Sequence, residues 1–266
     1  MRVATFNLHA GVDGWGRTTS VIERTLELRA DVLILPELWR STSGHDLYDE
    51  LCRRGNFQGV FAPLAEAERN TSGRRGQHWQ PWLAHVNGER GLFFQEHRTL
   101  SKAQARTRAR ATHLERGEWG LGILTTLPIE EIKIIALGRL RRERVNRALV
   151  LARLRGPSGS FWVAAVHGAH LSHGSRLQYR RVNDELAALS PQLPLLLGGD
   201  FNAWRPVLRL ILPGWRSLVR AKTWPARYPH SQIDHLFVRG PWQVQRGFSL
   251  RAGSDHRALV ADVELR

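Results

Sequence analysis

Short apolar segments, each only as long as a β-strand, recur along this 266-residue chain and constrain its fold more than any other feature. They are rich in valine, isoleucine and leucine, and turn-forming residues separate them. Ten of them predict strands, at Val3–Leu8, Val32–Leu35, Phe57–Phe61, Gly120–Thr125, Ile132–Leu137, Ala148–Leu154, Phe161–Val166, Leu193–Leu197, Ile233–Val238 and Ala258–Leu265. Helical patterns are few, so we expect sheets packed on each other, with helices outside, rather than a doubly wound parallel sheet.

Two stretches show helical periodicity. The first follows residues 18–20, which offer N-caps, and places Ile22, Leu26 and Ala30 on one face. The second ends before Pro191 and repeats apolar residues at helical spacing, at Leu177, Val182, Leu186 and Leu189. We therefore predict an α+β chain in which strands outnumber helices.

Length and composition are those of one large domain spanning residues 1–266, because 42% of the residues are hydrophobic and can form a full core. No apolar run approaches the length of a membrane span, and residues 3–6 read as a strand rather than as a secretory leader. The single cysteine, Cys52, excludes an internal disulfide and a cysteine zinc cluster. These features predict a cytoplasmic location.

One long polar and basic stretch, at about residues 63–118, interrupts the rhythm of strands. A connection of this length inside a compact domain is usually functional or disordered. We interpret it as an insertion beside the site, with a turn at Asn87-Gly88. Its arginines Arg106, Arg108 and Arg110 are candidate substrate-binding residues. The alternative is a solvated helix face.

The net charge of +15 predicts a polyanionic partner, because a positive field attracts polyanions and speeds their encounter. Nucleic acid is the partner that we expect first, and an anionic lipid surface would also suit this charge. Use of arginine in place of lysine can reflect genome composition, but an excess of basic over acidic residues does not follow from it.

Polar side chains follow the apolar strands at six places along the chain: Asn7, Glu37, His170, Asp200 with Asn202, Asp234, and Asp255 with His256. An ionised group at the edge of an apolar strand is costly unless it is paired or bound to a metal. Any single one of them is explained as well by a cap or a turn. Together they predict one catalytic site.

Carboxylate and amide oxygens are the ligands that Mg²⁺ and Mn²⁺ prefer, and the chain has neither a cysteine cluster nor an HExxH motif for zinc. Hydrolysis of a phosphodiester needs an activated water, a carboxylate that orients it and positive charge near the phosphate. These residue types therefore predict metal-assisted phosphodiester hydrolysis.

The same positions carry a family resemblance. In order they read Thr-Phe-Asn-Leu, Leu-Pro-Glu-Leu, Ala-His-Leu, Gly-Asp-Phe-Asn-Ala, Ile-Asp-His and Ser-Asp-His-Arg, between Val3 and Leu265. This set resembles the endonuclease/exonuclease/phosphatase superfamily, the group of deoxyribonuclease I, sphingomyelinases and inositol polyphosphate phosphatases. The resemblance implies a two-layer αββα sandwich of mostly antiparallel sheets, with the site at one edge.

The resemblance also implies roles. The metal ligands would be Glu37, with Asn7 close by and Asp255 contributing. Asp200 would orient or deprotonate the attacking water, and Asn202 would hold a phosphate oxygen. The scissile phosphate would meet His170 and His256, and Asp234 would hold the ring of His256. A carboxylate in that position selects the tautomer of the ring and stabilises its protonated form.

The chain departs from the family pattern in a few places. Pro36 stands where a glutamine usually precedes the metal-binding glutamate, and Ala258 stands where a proline usually follows the Ser-Asp-His-Arg motif. Leu121 lies in a strand at the position where many members carry an asparagine, so this chain lacks any phosphate interaction which that asparagine makes. No segment matches the catalytic tyrosine of abasic-site endonucleases.

Four further residues receive weaker assignments. His9 lies two residues after Asn7 on the same side of a strand and is a candidate for lining the site. His167 and His235 are interpreted as packed, structural histidines. Trp204, next to the Asp-Phe-Asn-Ala turn, is assigned to the core, and the alternative is that it stacks on a base.

We therefore predict a Mg²⁺-dependent nuclease, with Mn²⁺ as a possible substitute metal. Two alternatives stay open. One is a phosphatase or phosphodiesterase that acts on a lipid or inositol phosphate, because the same site serves both chemistries on one fold. The other is a nucleic-acid-binding member without turnover, although every expected catalytic position is filled.

Overall fold

The computed structural model describes residues 1–12, 18–42, 46–70, 82–84, 114–140, 145–171, 174–189 and 193–266. The strands in this part of the chain are β1 (Arg2–Thr5), β2 (Val32–Ser41), β3 (Gln58–Asn70), β4 (Trp82–Ala84), β5 (Leu114–Thr125), β6 (Ile129–Gly138), β7 (Arg147–Gly156), β8 (Gly159–His167), β9 (Leu195–Asp200), β10 (Arg216–Ser217), β11 (Asp234–Arg239), β12 (Trp242–Arg251) and β13 (Arg257–Leu265). The helices are α1 (Val21–Glu27), α2 (Leu47–Gly55), α3 (Arg176–Leu189) and α4 (Arg205–Ile211), and a 3₁₀ turn spans His9–Gly11.

The strands form two sheets that pack face to face. One has the order β12-β13-β1-β2-β5-β3-β4 and the other the order β10-β11-β9-β8-β7-β6. Only β1–β2 and β8–β9 pair in parallel, and the other strand pairs of the described residues are antiparallel. Helices α1 and α2 cover the first sheet, and α3 and α4 cover the second. The predicted αββα sandwich of mostly antiparallel sheets is therefore confirmed.

Strand β7 shows why its sequence is apolar without alternation. Val150 and Ala152 face the core between the two sheets, whereas Leu149 and Leu151 face the helix layer outside. A strand that is buried on both faces has no solvent side on which polar residues would be favoured. Burial of all four side chains drives this packing, at about 25 cal/mol per Å² of apolar surface removed from water.

Several boundaries differ from the prediction. Strand β1 ends at Thr5 rather than at Leu8, although the backbone N–H of Leu8 still donates to the carbonyl of Pro36. Strand β2 continues past Pro36 to Ser41, because its partner β5 accommodates an irregularity there. The predicted insertion is shorter at both ends, since residues 63–70 and 114–118 lie in the paired strands β3 and β5. The expected turn at Asn87-Gly88 lies outside the described residues.

Strand β12 and helix α2 have no counterpart in the prediction. Strand β12 is at the edge of its sheet and exposes Gln243 and Gln245, so its polar composition does not reveal that nine of its residues pair with β13. Helix α2 buries only Leu47 and Leu51, and the side chain of Asp46 caps it by accepting from the backbone N–H of Asp49 at 2.9 Å. None of the helices in the described ranges is long and apolar enough to cross a membrane.

Candidate active site

The strand pairing brings the predicted polar residues to one edge of the sandwich. His167 ends β8 and is level with Asp200 at the end of β9, because these two strands are parallel. Asp234 begins β11 and is also level with Asp200, because β11 runs antiparallel to β9. On the other sheet β1 and β2 are parallel, and β13 begins beside the end of β1. Groups that are far apart in sequence therefore meet at one place.

Glu37 lies in an irregularity of β2, where the pairing with β5 shifts between Pro36 and Leu38. Its φ of 54° is in the left-handed region, which costs energy for a residue with a side chain. A bulge of this kind redirects a side chain. Here it turns the largely buried carboxylate of Glu37 toward Asn7 and His167. The Oε2 atom of Glu37 is buried and has no hydrogen-bond partner among the described residues.

Asn7 connects the two carboxylates of the site. Its Nδ2 donates to Oε1 of Glu37 at 3.1 Å and to Oδ2 of Asp200 at 3.0 Å. Its Oδ1 accepts the backbone N–H of His9 at 3.0 Å. In this arrangement Asn7 orients the acidic groups through its amide hydrogens. Its predicted role as a metal ligand stays a prediction.

A tight approach between β8 and β9 determines the position of Asp200. A Cβ on Gly199 would lie 1.9 Å from the carbonyl oxygen of Val166, and Gly199 has a φ of +137°. Only glycine fits there. The Oδ1 of Asp200 accepts the backbone N–H of Asn202 at 2.8 Å, and Nδ2 of Asn202 donates to the carbonyl of Gly168 at 3.1 Å. The side chains of Asp200 and Asn202 therefore both stabilise the turn after β9 by hydrogen bonds to the backbone.

The side chain of Asp200 is buried, and the pKa of its carboxyl group is unusually high. Burial, followed by the negative charge of Asp234, raises its pKa to about 7, although the nearby ring of His256 acts in the opposite direction. Such a carboxyl group exchanges a proton near neutral pH. This is the range in which a general base is most effective.

The predicted contact between Asp234 and His256 is present. Nδ1 of His256 lies 2.8 Å from Oδ2 of Asp234, and both side chains are buried. Burial alone would lower the pKa of His256, but the charges of Asp234 and Asp255 outweigh it and raise that pKa well above its ordinary value. Nε2 of His256 lies 3.8 Å from Oδ2 of Asp200. The ring therefore carries a positive charge beside the candidate base.

His167 is a buried histidine, as its sequence position suggested, and it lies among the acidic groups of the site. Its side chain is buried, and its Nε2 lies 3.8 Å from both Oε1 of Glu37 and Oδ2 of Asp200. Burial and the positive charges of Arg147 and His256 lower its pKa well below the usual value. His170, by contrast, is exposed on the wall of the same cavity. The signal that identifies His167 is its register with Asp200, which the sequence does not display.

His9 and Asp255 form a pair at the mouth of the site. Nδ1 of His9 contacts the carbonyl of Val12 at 2.8 Å and lies 4.0 Å from Oδ1 of Asp255. Burial would raise the pKa of Asp255, but the charges of His9 and His256 and hydrogen bonds from Ser254 and Trp224 lower it. The carboxylate of Asp255 is thereby kept charged. His9 lines the cavity, as predicted.

A buried arginine holds the turn that carries His9. Arg69, on β3, donates to the carbonyl of Ala10 and pairs with Glu115 at 2.6 Å. His9 and Ala10 both have positive φ angles, at 47° and 51°. Contacts that are fixed by the surrounding sheet are required to maintain such a strained turn.

The donor atoms fit a divalent cation. Glu37, His167 and Asp200 each offer one ligand atom, and these atoms lie within 4.8 Å of one another. Within the described residues, the buried Oε2 atom of Glu37 has no hydrogen-bond partner, and the carboxylates of Glu37 and Asp200 are close to each other. Both features favour a positive charge at this point. A second group, Asp200 with Asp234 and His256, also meets this distance. Within the described residues, neither group includes Asp255.

A cavity of about 680 Å³ opens above these groups. Its size is within the range of about 300–1,000 Å³ that is typical of small-molecule sites. Trp204 is part of its wall and is 57% exposed, so the assignment of Trp204 to the core is wrong. The candidate substrate-binding residues Arg106, Arg108 and Arg110 lie outside the described residues.

Comparisons with known proteins show the family and the fold of this chain. The model of the "Endonuclease/Exonuclease/phosphatase family" matches residues 4–256. An endonuclease/exonuclease/phosphatase from Beutenbergia cavernae is 18% identical, with a TM-score of 0.67 over 100% of this chain and 71% of that one. The human Nocturnin catalytic domain with bound sulfate is 17% identical, with a TM-score of 0.67 over 100% of this chain and 93% of that chain.

A third solved structure, D. rerio TDP2 complexed with a single-strand DNA product, is 13% identical. Its TM-score is 0.64 over 99% of this chain and 98% of that one. At these identities the structural likeness shows the fold alone. Among curated proteins there is no significant match.

Proposed function

The chain belongs to the endonuclease/exonuclease/phosphatase family, and from that premise we propose that it is a divalent-metal-dependent phosphodiesterase whose substrate is nucleic acid. Members of this family are generally hydrolases that act on phosphoesters. The observation that carries the proposal is the convergence of Glu37, His167 and Asp200 with the Asp234–His256 pair in one cavity. Acidic ligands, a base and a charged imidazole are the parts that phosphodiester hydrolysis requires.

Glu37, together with His167, would hold the metal, and the carboxylate of Asp200 would lie beside it. Mg²⁺ or Mn²⁺ suits the two carboxylates, and the low pKa of His167 leaves a neutral nitrogen lone pair available. When bound, the metal would supply positive charge to the phosphate and lower the pKa of a coordinated water. Asn7 and Asp255 would support this site from two sides, as the family resemblance implies.

Asp200 is the group that orients and deprotonates the attacking water. Burial and the negative charge of Asp234 raise the pKa of this carboxyl group and therefore its basicity, which favours the role of a base. The N–H of Asn202 and Nδ2 of Asn7 hold one oxygen of Asp200 each, so its carboxylate has little freedom to rotate. Fixing a base in this way removes an entropic cost from the proton transfer.

His256 supplies positive charge to the phosphate oxygens. Asp234 holds the ring through Nδ1, so the Nε2–H is left to face the cavity. A fixed cation that is buried, as His256 is, stabilises developing negative charge more than a cation in water does. His170 and Asn202, on the cavity wall, are the further contacts that we assign to the phosphate.

Nucleic acid is the favoured substrate because of charge. The net charge of +15 and the arginines at 106, 108 and 110 suit a long phosphate backbone. The likeness to a fold-related protein that was solved with single-strand DNA agrees with this assignment. A lipid or inositol phosphate is the second candidate, because the same catalytic groups would serve it.

A substrate panel tests the proposal. Plasmid DNA, single-stranded DNA, RNA, sphingomyelin and inositol phosphates are incubated with the wild type and with Asp200→Asn, in Mg²⁺. We expect cleavage of a nucleic acid by the wild type and a loss of at least ~10²-fold in the variant. Turnover of only sphingomyelin or inositol phosphates would contradict the substrate assignment. Binding of nucleic acid without any cleavage would contradict the enzymatic assignment.

A further inference from the structure

Two tryptophans are exposed among those whose side chains the structure describes, and both line the catalytic cavity. Trp204 is 57% exposed and Trp224 is 37% exposed, whereas the other described tryptophans are buried or half-buried. An indole left in water forgoes a large part of the burial free energy that such a side chain offers. An exposed indole in the wall of the catalytic cavity is available to a ligand unless a structural partner covers it.

Trp224 has a structural partner. Its indole N–H donates to the carboxylate of Asp255, and its ring meets His230 edge to face at a centroid distance of 5.4 Å. Its backbone pairs with that of Ser231 in both directions, at 3.0 Å. These contacts give Trp224 a positioning role toward Asp255 without any ligand.

Trp204 has no comparable partner in the part of the chain that is described. It occupies the N-cap position of α4, but its side chain makes no capping hydrogen bond. Its backbone, in contrast, is well held. The carbonyl of Trp204 accepts from Val207 at 3.0 Å and from Leu208 at 3.1 Å, and the preceding turn is held by Asp200 and Asn202. A backbone that is held by hydrogen bonds thus places an exposed indole in the wall of the cavity, four residues from the candidate base.

The cavity is larger than the reacting group. A phosphate group and the hydrolytic water occupy only a small part of about 680 Å³. The groups that flank the phosphate must therefore also enter, and on a nucleic acid these are a sugar and a base. A base stacks on an aromatic side chain whatever its identity, because every base has a π-face.

We propose that Trp204 is the stacking face for the nucleobase next to the scissile phosphate. The proposal rests on the proposed function and adds the part of the substrate that this site recognises beside the phosphate. It predicts little preference among bases, since stacking reads the ring rather than its hydrogen-bonding edge. It also predicts that substrates without a base gain no benefit from Trp204.

Two substrates that share one leaving group test this inference. Thymidine 5′-(p-nitrophenyl phosphate) and methyl p-nitrophenyl phosphate both release p-nitrophenolate, and only the first carries a base. We expect Trp204→Leu to lower kcat/KM on the thymidine substrate by about 5- to 150-fold and to leave the methyl substrate near wild type. Trp204→Phe keeps an aromatic face and should recover a large part of the loss. Thermal unfolding checks that both variants are folded.

Tyr228→Leu is the matched control. Tyr228 is 73% exposed in the loop that follows Trp224, but it is not among the described residues that line the cavity. We expect this variant to cleave both substrates like the wild type. An equal effect of Tyr228→Leu and Trp204→Leu would indicate a general apolar surface and would overturn the inference.

Binding to phosphatidylglycerol vesicles tests a different role for Trp204. If Trp204→Leu loses this binding and keeps its kinetics on the thymidine substrate, Trp204 lies at a membrane and the inference is overturned.

The remaining outcomes are also decisive. Equal losses on both substrates would assign Trp204 to the leaving group or to the phosphate, and no loss on either would remove it from the substrate site. If the wild type cleaves neither substrate, the proposed function fails first. Binding of thymidine 5′-monophosphate, measured by calorimetry, then tests Trp204 independently of turnover. Equal affinity of wild type and Trp204→Leu for this nucleotide would overturn the stacking role.

Discussion

Oδ2 of Asp234 lies 2.8 Å from Nδ1 of His256, and this buried pair controls the charge beside the candidate base. Burial lowers the pKa of His256, but Asp234 and Asp255 raise it well above the ordinary value, so the ring stays protonated through neutral pH. Asp234→Asn removes the nearest negative charge. We therefore expect the alkaline limb of the kcat/KM profile to move to lower pH, because the ring gives up its proton sooner.

The same pair predicts non-additive losses. Asp234→Asn and His256→Ala should each lower turnover by at least ~10²-fold, the scale expected when a group that stabilises the transition state is removed. Because both changes act through one imidazole, the double variant should be little worse than the worse single variant. Additive losses, or an alkaline limb that does not move in Asp234→Asn, would show that Asp234 does not act through His256.

His167 and His170 should respond differently to the same substitution. His167 lies 3.8 Å from both Glu37 and Asp200, whereas His170 is exposed on the cavity wall. We expect His167→Gln to raise the Mg²⁺ concentration that gives half-maximal activity. His170→Gln should leave that concentration near wild type and raise KM. Measuring both constants at several Mg²⁺ concentrations separates the two roles, and identical behaviour of the variants would argue against this division.

Metal binding should stabilise the folded protein as well as activate it. EDTA should abolish hydrolysis, and Mg²⁺ or Mn²⁺ should restore it. In the wild type each metal should also raise Tm, since a ligand that binds only the native state adds RT ln(1 + [L]/Kd) to the free energy of unfolding. Glu37→Gln should weaken this rise because it removes the unpartnered carboxylate oxygen. Full activity in EDTA would refute metal dependence.

Acid should destabilise the fold in part through His235. Burial lowers the pKa of His235 to about 4, while Nε2 keeps a 2.9 Å contact with the carbonyl of Ala203. The unfolded chain binds the proton near the ordinary value of about 6.5. The contribution of neutral His235 to the free energy of unfolding is therefore fully present above that pH. It is lost as the pH falls through about 4, by roughly 3 kcal/mol in total.

The comparison that isolates this effect is His235→Gln, which keeps a donor for Ala203 and cannot titrate. Its free energy of unfolding, from urea titrations between pH 7.5 and pH 4.5, should decline less steeply than that of the wild type. His167 also has a lowered pKa, so a residual decline is expected in both proteins. Parallel curves for the two proteins would exclude His235 as a source of the acid sensitivity.

The arginines of the insertion should contribute to binding rather than to chemistry. Neutralising Arg106, Arg108 and Arg110 together should weaken nucleic-acid binding across sequences. It should also reduce the dependence of affinity on salt, by up to ~0.9 in the logarithmic slope for each duplex phosphate that the variant no longer neutralises. Turnover of methyl p-nitrophenyl phosphate should stay near wild type. Unchanged affinity and slope would remove this segment from the interface.

A triple variant of equal charge provides the control for net charge. Arg53, Arg155 and Arg246 are exposed. Arg155 lies toward the end of β7 that is remote from the catalytic edge, and Arg246 lies near the middle of β12. Removing these three charges lowers the field of the whole protein by the same amount. If both triple variants weaken binding equally, the effect is one of net charge and not of local interactions.

Much of the architecture was predictable because strand burial leaves a direct trace in composition. Strands such as β7 and β8 are apolar on both faces, so their existence and approximate bounds follow from the sequence. Strand β12 was missed for the opposite reason: at the edge of its sheet it exposes one face to water, and its polar residues resemble a loop. Short helix α2 buries too few residues to show a period.

By itself the sequence determined which kinds of groups are available and the order in which they follow the strands. Polar residues after apolar runs predicted the acidic character of the site, because a charged group at such a position needs a partner. The family resemblance implied the contact between Asp234 and His256. Only the tertiary structure decided which groups touch. Register placed His167 beside Asp200, and the bulge in β2 turned Glu37 toward Asn7. Both are long-range pairings between strands, and the spacing of residues along one chain carries no record of them. The same holds for Trp204, whose exposure depends on what packs around it and not on its own apolar character.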